Sequence, residues 1–262
     1  MVNADSMQVY RELRILTARP TEDEEALVPH RLYGIRPGSD PYSVAAWLAD
    51  LRPLVEEARS DGPPLVITGG TGLYFRGLLE GLSPVPEIPE DIRAFWRAEA
   101  AEKGCAALYS VLRARDPVMA SRLQATDPQR VVRALEVLDA TGRSLLEWQG
   151  VAGEPLILEE EAERLYVCPP RSELYRRCDA RLDQMSRMGV LEEVERLRRL
   201  ALSPALPIMR AVGVRPFMAF LKGTLDWEAA LDRAKTETRQ YAKRQLTWAR
   251  RNMIAWNTIE KK

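Results

Sequence analysis

The stretch PPLVITGGTGLYFRGLLEGL, residues 63–82, constrains the fold more than any other part of this chain. Leu65 to Thr68 is a short apolar run of the kind a buried strand uses, and it ends on glycines. Leu73 to Leu82 then carries apolar residues at helical spacing. A strand that turns through Gly-Gly-Thr-Gly straight into a helix belongs to an α/β layer, because parallel strands need long crossovers and helices supply them. The preceding residues agree. MVNAD (1–5) reads as a short strand running into a polar turn. Residues 43–62 read as a helix: Val44, Trp47, Leu48, Leu51 and Val55 share a face, Ser43 caps it and Gly62 ends it. Pro53 inside that span predicts a bend.

The pattern changes at SPVPEIPED (83–91), where three prolines mark a domain edge. From Ile92 to about Leu123 the chain is helical and rich in Ala, Arg and Glu, with no strand signal. TDPQRVVRALEVLDATG (126–142) predicts a helix capped by Thr126 or Asp127, with Pro128 in its first turn and Gly142 as its stop. Val131, Leu135 and Leu138 lie along one of its faces. RLYVCPP (164–170) reads as a second buried strand returning to the sheet, and 171–188, 190–201, 226–235 and 236–252 as helices. The fold class expected is therefore α/β.

Composition excludes several functions. The formal net charge is zero, so nothing draws the whole chain to nucleic acid or membrane, and a polyanion must meet a local patch. One basic run exists: Arg233, Lys235, Arg239, Lys243, Arg244, Arg250 and Arg251, set against Glu237. On composition alone it is a solvated helix face. Cys105, Cys168 and Cys178 are far apart and form no CxxC, which suits a reducing, cytoplasmic setting and argues against a zinc site or a disulfide framework. The single histidine, His30, excludes a His-rich metal site and makes a carboxylate the expected proton-transfer group. No apolar run approaches a membrane span, and no leader-like core opens the chain.

A strand ending in Gly69-Gly70-Thr71-Gly72 before a helix is a possible anion site, since the first amides of a helix are unpaired. On that motif alone a tight turn is the better reading. A GxxxxGK[ST] phosphate loop, the usual companion of such a domain, does not occur: KGT (222–224) has the order reversed and TGRS (141–144) lies at a helix end.

Six ordered segments then agree together: NADSMQVYRELRILTARPT (3–21), PHRLYGIRPGSDPYSVAAW (29–47), ITGGTGLYFRGLLEGLSPVP (67–86), DPQRVVRALEV (127–137), MRAVGVR (209–215) and TRQYAKRQLTWAR (238–250). In motif, order and spacing they resemble the tRNA dimethylallyltransferase (tRNA isopentenyltransferase) family over nearly the whole chain. The resemblance implies transfer of a dimethylallyl group from its diphosphate to the exocyclic N6 of the adenine 3′-adjacent to the anticodon. It implies a P-loop nucleoside-kinase-like parallel sheet flanked by helices, with a catalytic core of 1–84 and 127–262 and a helical, tRNA-binding insertion of 85–126. The partners implied are dimethylallyl diphosphate and a tRNA anticodon stem-loop, with Mg2+ as cofactor, no membrane and a monomeric chain. Two other readings stay open: a tRNA-binding remnant without catalysis, and an isopentenyltransferase of free adenine nucleotides. DPQR and the helical insert favour tRNA over the nucleotide.

The resemblance also implies roles for residues. Asp5 matches the family's motif aspartate and is the expected base, although NADS alone suggests a turn aspartate. Ser6, Met7 and Gln8 match the adjoining stretch that contacts the target nucleotides. Thr71 is expected to donate a hydrogen bond near the reacting centre, and Gly69 and Gly70 to border the diphosphate. Arg177 and Arg181, four apart on a predicted helix, share a face and read evenly as diphosphate ligands or as a surface ladder. Gln129, Arg130, Val131, Val132 and Arg133 match a tRNA-contacting segment, as does Arg93 at the start of the insert. The 233–251 run becomes an anticodon-arm binder, while His30 keeps a packing role. Two departures accompany the match. Val214 stands where family members usually carry an aromatic residue. The first strand, P-loop and following helix have no counterpart here, so the chain as written is expected to be an N-terminally truncated form with little transfer activity and no metal ligand of its own.

Overall fold

A computed structural model describes residues 1–60 and 62–259. The chain divides into two compact units, one of Met1–Leu79 with Leu156–Lys262 and one of Glu80–Pro155.

In the first unit, β1 (Val2–Asn3) is followed by a long ordered coil, α1 (Glu22–Leu27), α2 (Val44–Arg59), β2 (Ile67–Thr68) and α3 (Gly72–Glu80). β1 pairs parallel with β2 in the register Val2↔Ile67, and bridges Arg31 on its other side. α2 starts where Ser43 predicts: its hydroxyl accepts from the Ala46 amide at 3.2 Å. Trp47, Leu51 and Val55 fall on one face and are buried beneath the sheet with Tyr74, Phe75 and Leu78 of α3. The Trp47 and Tyr74 rings stack with centroids 4.5 Å apart, and the Trp47 indole N–H donates to the Asn3 carbonyl at 2.7 Å. Burial of side chains this large contributes roughly 1.5–3 kcal/mol each, which outweighs the helix hydrogen bond that Pro53 removes. Asp61, inside the helix span expected from sequence, lies outside the described residues.

The second unit holds α4 (Glu90–Arg115, broken at Gly104), α5 (Pro117–Ser121), α6 (Pro128–Thr141) and α7 (Leu145–Gln149). Asp127 caps α6, and Gly142 ends it in the left-handed conformation. Leu108 and Leu112 of α4 pack on Val131, Ala134 and Leu135 of α6. That shared apolar face moves the boundary: residues 127–155, assigned from sequence to the core, fold with 80–126.

The first unit resumes with β3 (Leu165–Val167), α8 (Arg171–Arg187), α9 (Val190–Arg199), α10 (Val214–Leu221), α11 (Trp227–Asn252) and β4 (Asn257–Ile259). β3 was expected to return to the first sheet. It pairs instead with β4, parallel, as a separate two-stranded ladder, so the described residues carry two small sheets rather than one. The spans 226–235 and 236–252 are one continuous helix, α11. Val9, Tyr10, Leu13 and Leu16 of the coil enter the apolar cluster formed by α8–α11. Among the described residues no helix is long and apolar enough to cross a membrane.

Candidate active site

The site begins with a glycine turn that has no room for side chains. A Cβ on Gly69 would lie 2.2 Å from the carbonyl carbon of Ala4, one on Gly70 2.1 Å from the Gln245 side chain, and one on Gly72 2.4 Å from the Trp248 ring. The first of these contacts is backbone on backbone, and it lets the turn close on the tip of β1: the Thr71 amide donates to the Ala4 carbonyl at 3.2 Å. The glycines therefore serve close packing, whatever ligand they also border. α11 supplies the other contacts, with Gln245 donating to the Gly70 carbonyl at 2.9 Å.

Asp5 stands at the tip of β1. One oxygen, Oδ1, accepts from the amides of Met7 at 2.8 Å and, more weakly, of Gln8 at 3.4 Å. Fully buried Asn3 braces the turn from beneath: its Oδ1 accepts from the Asp5 amide at 2.8 Å, and its Nδ2 donates to the carbonyls of Asp5 and Leu32 at 2.9 and 3.1 Å. The other carboxylate oxygen accepts no hydrogen bond among the described residues. Burial raises the Asp5 carboxyl above its ordinary 3.8, against the two amide bonds that lower it. The turn-aspartate reading and the base reading are thus compatible, one oxygen serving each.

Thr71 joins Ser6 to this group. Its hydroxyl accepts from the Ser6 amide at 2.9 Å and donates to the Ser6 hydroxyl at 3.3 Å. The phenols nearby belong to no motif legible in the sequence. The charge of Asp5 contributes to raised pKa values at Tyr33, Tyr74 and Tyr241, after burial in each case. Tyr241, on α11 and hydrogen-bonded to Gln245, is pushed up to about 12. Its neutral phenol is thus a persistent hydrogen-bond donor in the region of the carboxylate.

Gly69 and Gly70 open onto an apolar groove of about 950 Å³. Both small sheets border it, and Val66, Leu165 and Val167 remain 54%, 45% and 58% exposed. Trp248 and Trp256 close its wall. Neither Arg177 nor Arg181 lines the groove; they do share a face of α8, where Arg177 pairs with Glu173 at 2.5 Å.

The basic run on α11 divides in two. Arg233 pairs with Glu237 at 3.3 Å, Lys235 with Asp183 at 2.6 Å and Arg239 with Asp179 at 2.6 Å. Farther along, Lys243, Arg244 and Arg251 make no ion pair among the described residues and surround, with Gln240 and Trp248, an open depression of about 670 Å³. Arg244 lies over the Tyr241 ring, 5.6 Å from its centroid.

Met7 packs against the apolar cluster of α8–α11, and Gln8 is half-buried in the coil. Arg93 and residues 129–133 belong to the second unit. There Val131 is fully buried, so its side chain is a core element and not an RNA contact, and Val132 packs against the same cluster. Gln129 and Arg130 are exposed, Arg130 lying 3.4 Å from Asp127, and Arg133 lies 3.6 Å from buried Glu136. Val214 is also fully buried, which removes it from any RNA surface. The His30 Nδ1–H donates to the Val28 carbonyl, 2.8 Å away, and the ring meets that of Tyr33 edge-on. All three cysteines are free.

A sequence model of the IPP transferase family matches residues 8–252. The chain is 49% identical to a tRNA dimethylallyltransferase of a Chelativorans species over 253 residues, 97% of this chain and 87% of that protein. It is 48% identical to one of Parvibaculum lavamentivorans, covering 98% of this chain and 81% of that protein. Among solved structures, the tRNA isopentenylpyrophosphate transferase of Bacillus halodurans superposes with a TM-score of 0.65 at 32% identity, covering 99% of this chain and 80% of that one. A eukaryotic dimethylallyltransferase acting on tRNA superposes with a TM-score of 0.77 at 24% identity, covering 99% and 66%, and shows likeness of fold.

Proposed function

The chain belongs to the IPP transferase family, and from that premise we propose that Asp5 is the base of a prenyl transfer to tRNA. The protein is an enzyme that modifies tRNA, a dimethylallyltransferase. The dimethylallyl group passes from its diphosphate to the exocyclic N6 of the adenine 3′-adjacent to the anticodon. The nitrogen lone pair is delocalised into the purine ring and is a poor nucleophile. As the N6–carbon bond forms and the carbon–oxygen bond to diphosphate breaks, the nitrogen becomes acidic and the electron pair leaves with diphosphate. A carboxylate must take the proton at that moment. The observation that carries this reading is the Asp5 turn, which holds one oxygen on backbone amides and leaves the other unbonded, in a setting whose burial raises the basicity of the group against those amide bonds.

The apolar groove suits the prenyl chain, and the start of α3 beside Gly69 and Gly70 suits its diphosphate. Thr71 holds Ser6, and with it the backbone next to the base. A parallel strand pair whose glycine turn opens a helix is compatible with a P-loop kinase-like core. No three Asp, Glu, His or Cys side chains converge among the described residues. Mg2+, when bound, would be held chiefly by the diphosphate oxygens, since this ion needs only one or two protein ligands beside substrate phosphates.

Incubation of excess enzyme with dimethylallyl diphosphate and an anticodon stem-loop is expected to give N6-prenyladenosine at the position 3′ of the anticodon, formed slowly because no GxxxxGK[ST] loop is present to hold the diphosphate, and read by nuclease digestion and mass spectrometry. RNA binding with no transfer would overturn the catalytic reading. Preferential modification of free AMP would overturn the RNA substrate.

The open half of α11 supports RNA binding through phosphate contacts. Changing Lys243, Arg244 and Arg251 together to alanine is expected to reduce the slope of log affinity against log salt by about 2. Filter binding across a salt series checks this. An unchanged slope would take this surface out of the RNA interface.

A further inference from the structure

One buried carboxylate has no part in the transfer described above. Glu193, on α9, is 2% exposed. Its Oε1 accepts from the amides of Arg14 at 2.6 Å and Ile15 at 2.8 Å, and its Oε2 from the amide of Leu16 at 2.8 Å. Three successive backbone N–H groups of a coil thus converge on a single charged side chain, 177 to 179 residues distant in sequence. Charge-assisted bonds of this kind are about twice as strong as neutral ones, and a coil with no helix or sheet ladder needs them.

The coil so held returns to the active site. The Arg19 amide donates to the Arg14 carbonyl and the Ala18 amide to the Ile15 carbonyl, both at 2.9 Å, so Arg14–Arg19 closes on itself. Its carbonyls at Thr17 and Ala18 then accept both protons of the Gln8 side-chain amide, at 2.8 and 3.1 Å. Two acceptors on one side settle which atom is nitrogen, since an oxygen there would face two other oxygens. The Gln8 amide is left with its carbonyl oxygen alone to offer. Gln8 is also fixed along its backbone: its carbonyl accepts from Gly34 at 2.9 Å and its amide lies 3.4 Å from the Asp5 carboxylate.

We infer that Glu193 is a positioning residue for base selection: by holding residues 14–16 it locks Gln8 as a pure acceptor three residues from the base Asp5. A nucleobase that brings an N–H there, such as the exocyclic amine of adenine, is matched. One that brings a carbonyl, such as hypoxanthine, meets oxygen against oxygen. Without the clamp the amide is free to rotate and accept either.

The inference rests on the tRNA-modifying reading, and the test separates the two. Wild-type enzyme is titrated with stem-loops carrying adenine or hypoxanthine at the target position. Failure to bind either RNA would sink the RNA-modifying reading itself. Adenine is expected to bind about tenfold more tightly, the scale of one or two hydrogen bonds. In Glu193→Gln, which keeps the volume but turns an N–H toward the Leu16 amide, the ratio is expected to fall toward one. In Gln8→Leu the ratio is also expected to collapse, and adding Glu193→Gln to that variant should change it no further. A merely structural role would lower the active fraction equally for both RNAs, so a preserved ratio in folded Glu193→Gln overturns the inference. Should that variant not fold, the half-exposed Gln8→Leu decides, and a preserved ratio there overturns it equally.

Discussion

Asp5→Asn is expected to lower turnover by about 10²- to 10⁴-fold while stem-loop affinity changes little. The substitution is close to isosteric. Its side-chain oxygen still accepts from the Met7 amide, the contact at 2.8 Å that holds the turn. What disappears is the proton acceptor. The stability effect has the opposite sign to most losses at a conserved geometry. Burial raises the Asp5 carboxyl above 3.8, so between the unfolded and folded values the native state binds more protons than the unfolded one. Ionisation of Asp5 therefore costs native stability as pH rises through that window, and the asparagine variant escapes the cost. It should melt no lower than wild type at neutral pH. In the wild type, the acid limb of kcat/KM should fall as pH drops through a pKa above 3.8, because only the carboxylate accepts the proton. Single-turnover rates, stem-loop affinity and melting temperature measured together check the set. Unchanged turnover removes Asp5 as the base, and a large fall in melting temperature would show that its role is the turn alone.

Much of this fold is legible in sequence because its pieces are local. Ser43 and Asp127 cap helices where their types and spacing say they should, and Gly142 stops α6. The periodicity put Val131, Leu135 and Leu138 on one face, and Val131 and Leu135 are buried there, whereas likeness to an RNA-contacting stretch, from which Val131 was assigned to tRNA, does not tell which side chains of the stretch point inward. Long-range partners are what local patterns omit. β4, Asn257–Ile259, has no apolar run of its own, so nothing marks it as the mate of β3. Glu193 sits in VLEEVERLRR, where any glutamate looks solvated, and only the coil amides folding back from residues 14–16 explain its burial. The basic run reads as uniform until α8 places Asp179 and Asp183, one turn apart, beside its first half. The active-site phenols are missed for the same reason, since Tyr33, Tyr74 and Tyr241 come from three distant segments.

Gly69→Ala is expected to cost about 1–3 kcal/mol of stability and to reduce turnover about 10²-fold. The methyl would sit 2.2 Å from the Ala4 carbonyl carbon, 2.3 Å from its oxygen and 2.7 Å from the Asp5 amide nitrogen, all backbone atoms that no rotamer can move aside. Relief requires the glycine turn to withdraw from the tip of β1. That stretches the Thr71 amide bond to the Ala4 carbonyl and the Ser6 amide bond to the Thr71 hydroxyl, the two links between the base and the turn. A displacement near 1 Å is enough to spoil the alignment of base, nucleophile and leaving group. Gly70→Ala provides the contrast. Its methyl meets the end of the Gln245 side chain, which is free to swing away at the expense of its bond to the Gly70 carbonyl. Stability should then fall by only about 1 kcal/mol. Gly142→Ala, with nothing within 4 Å, should cost about 1 kcal/mol through its positive φ and leave turnover intact. Thermal melts and transfer rates on the three variants separate a turn that needs glycine for its own bend from one that needs it so that two backbones can touch. Equal effects at Gly69 and Gly70 would return the glycine turn to the simpler role that its motif alone suggests.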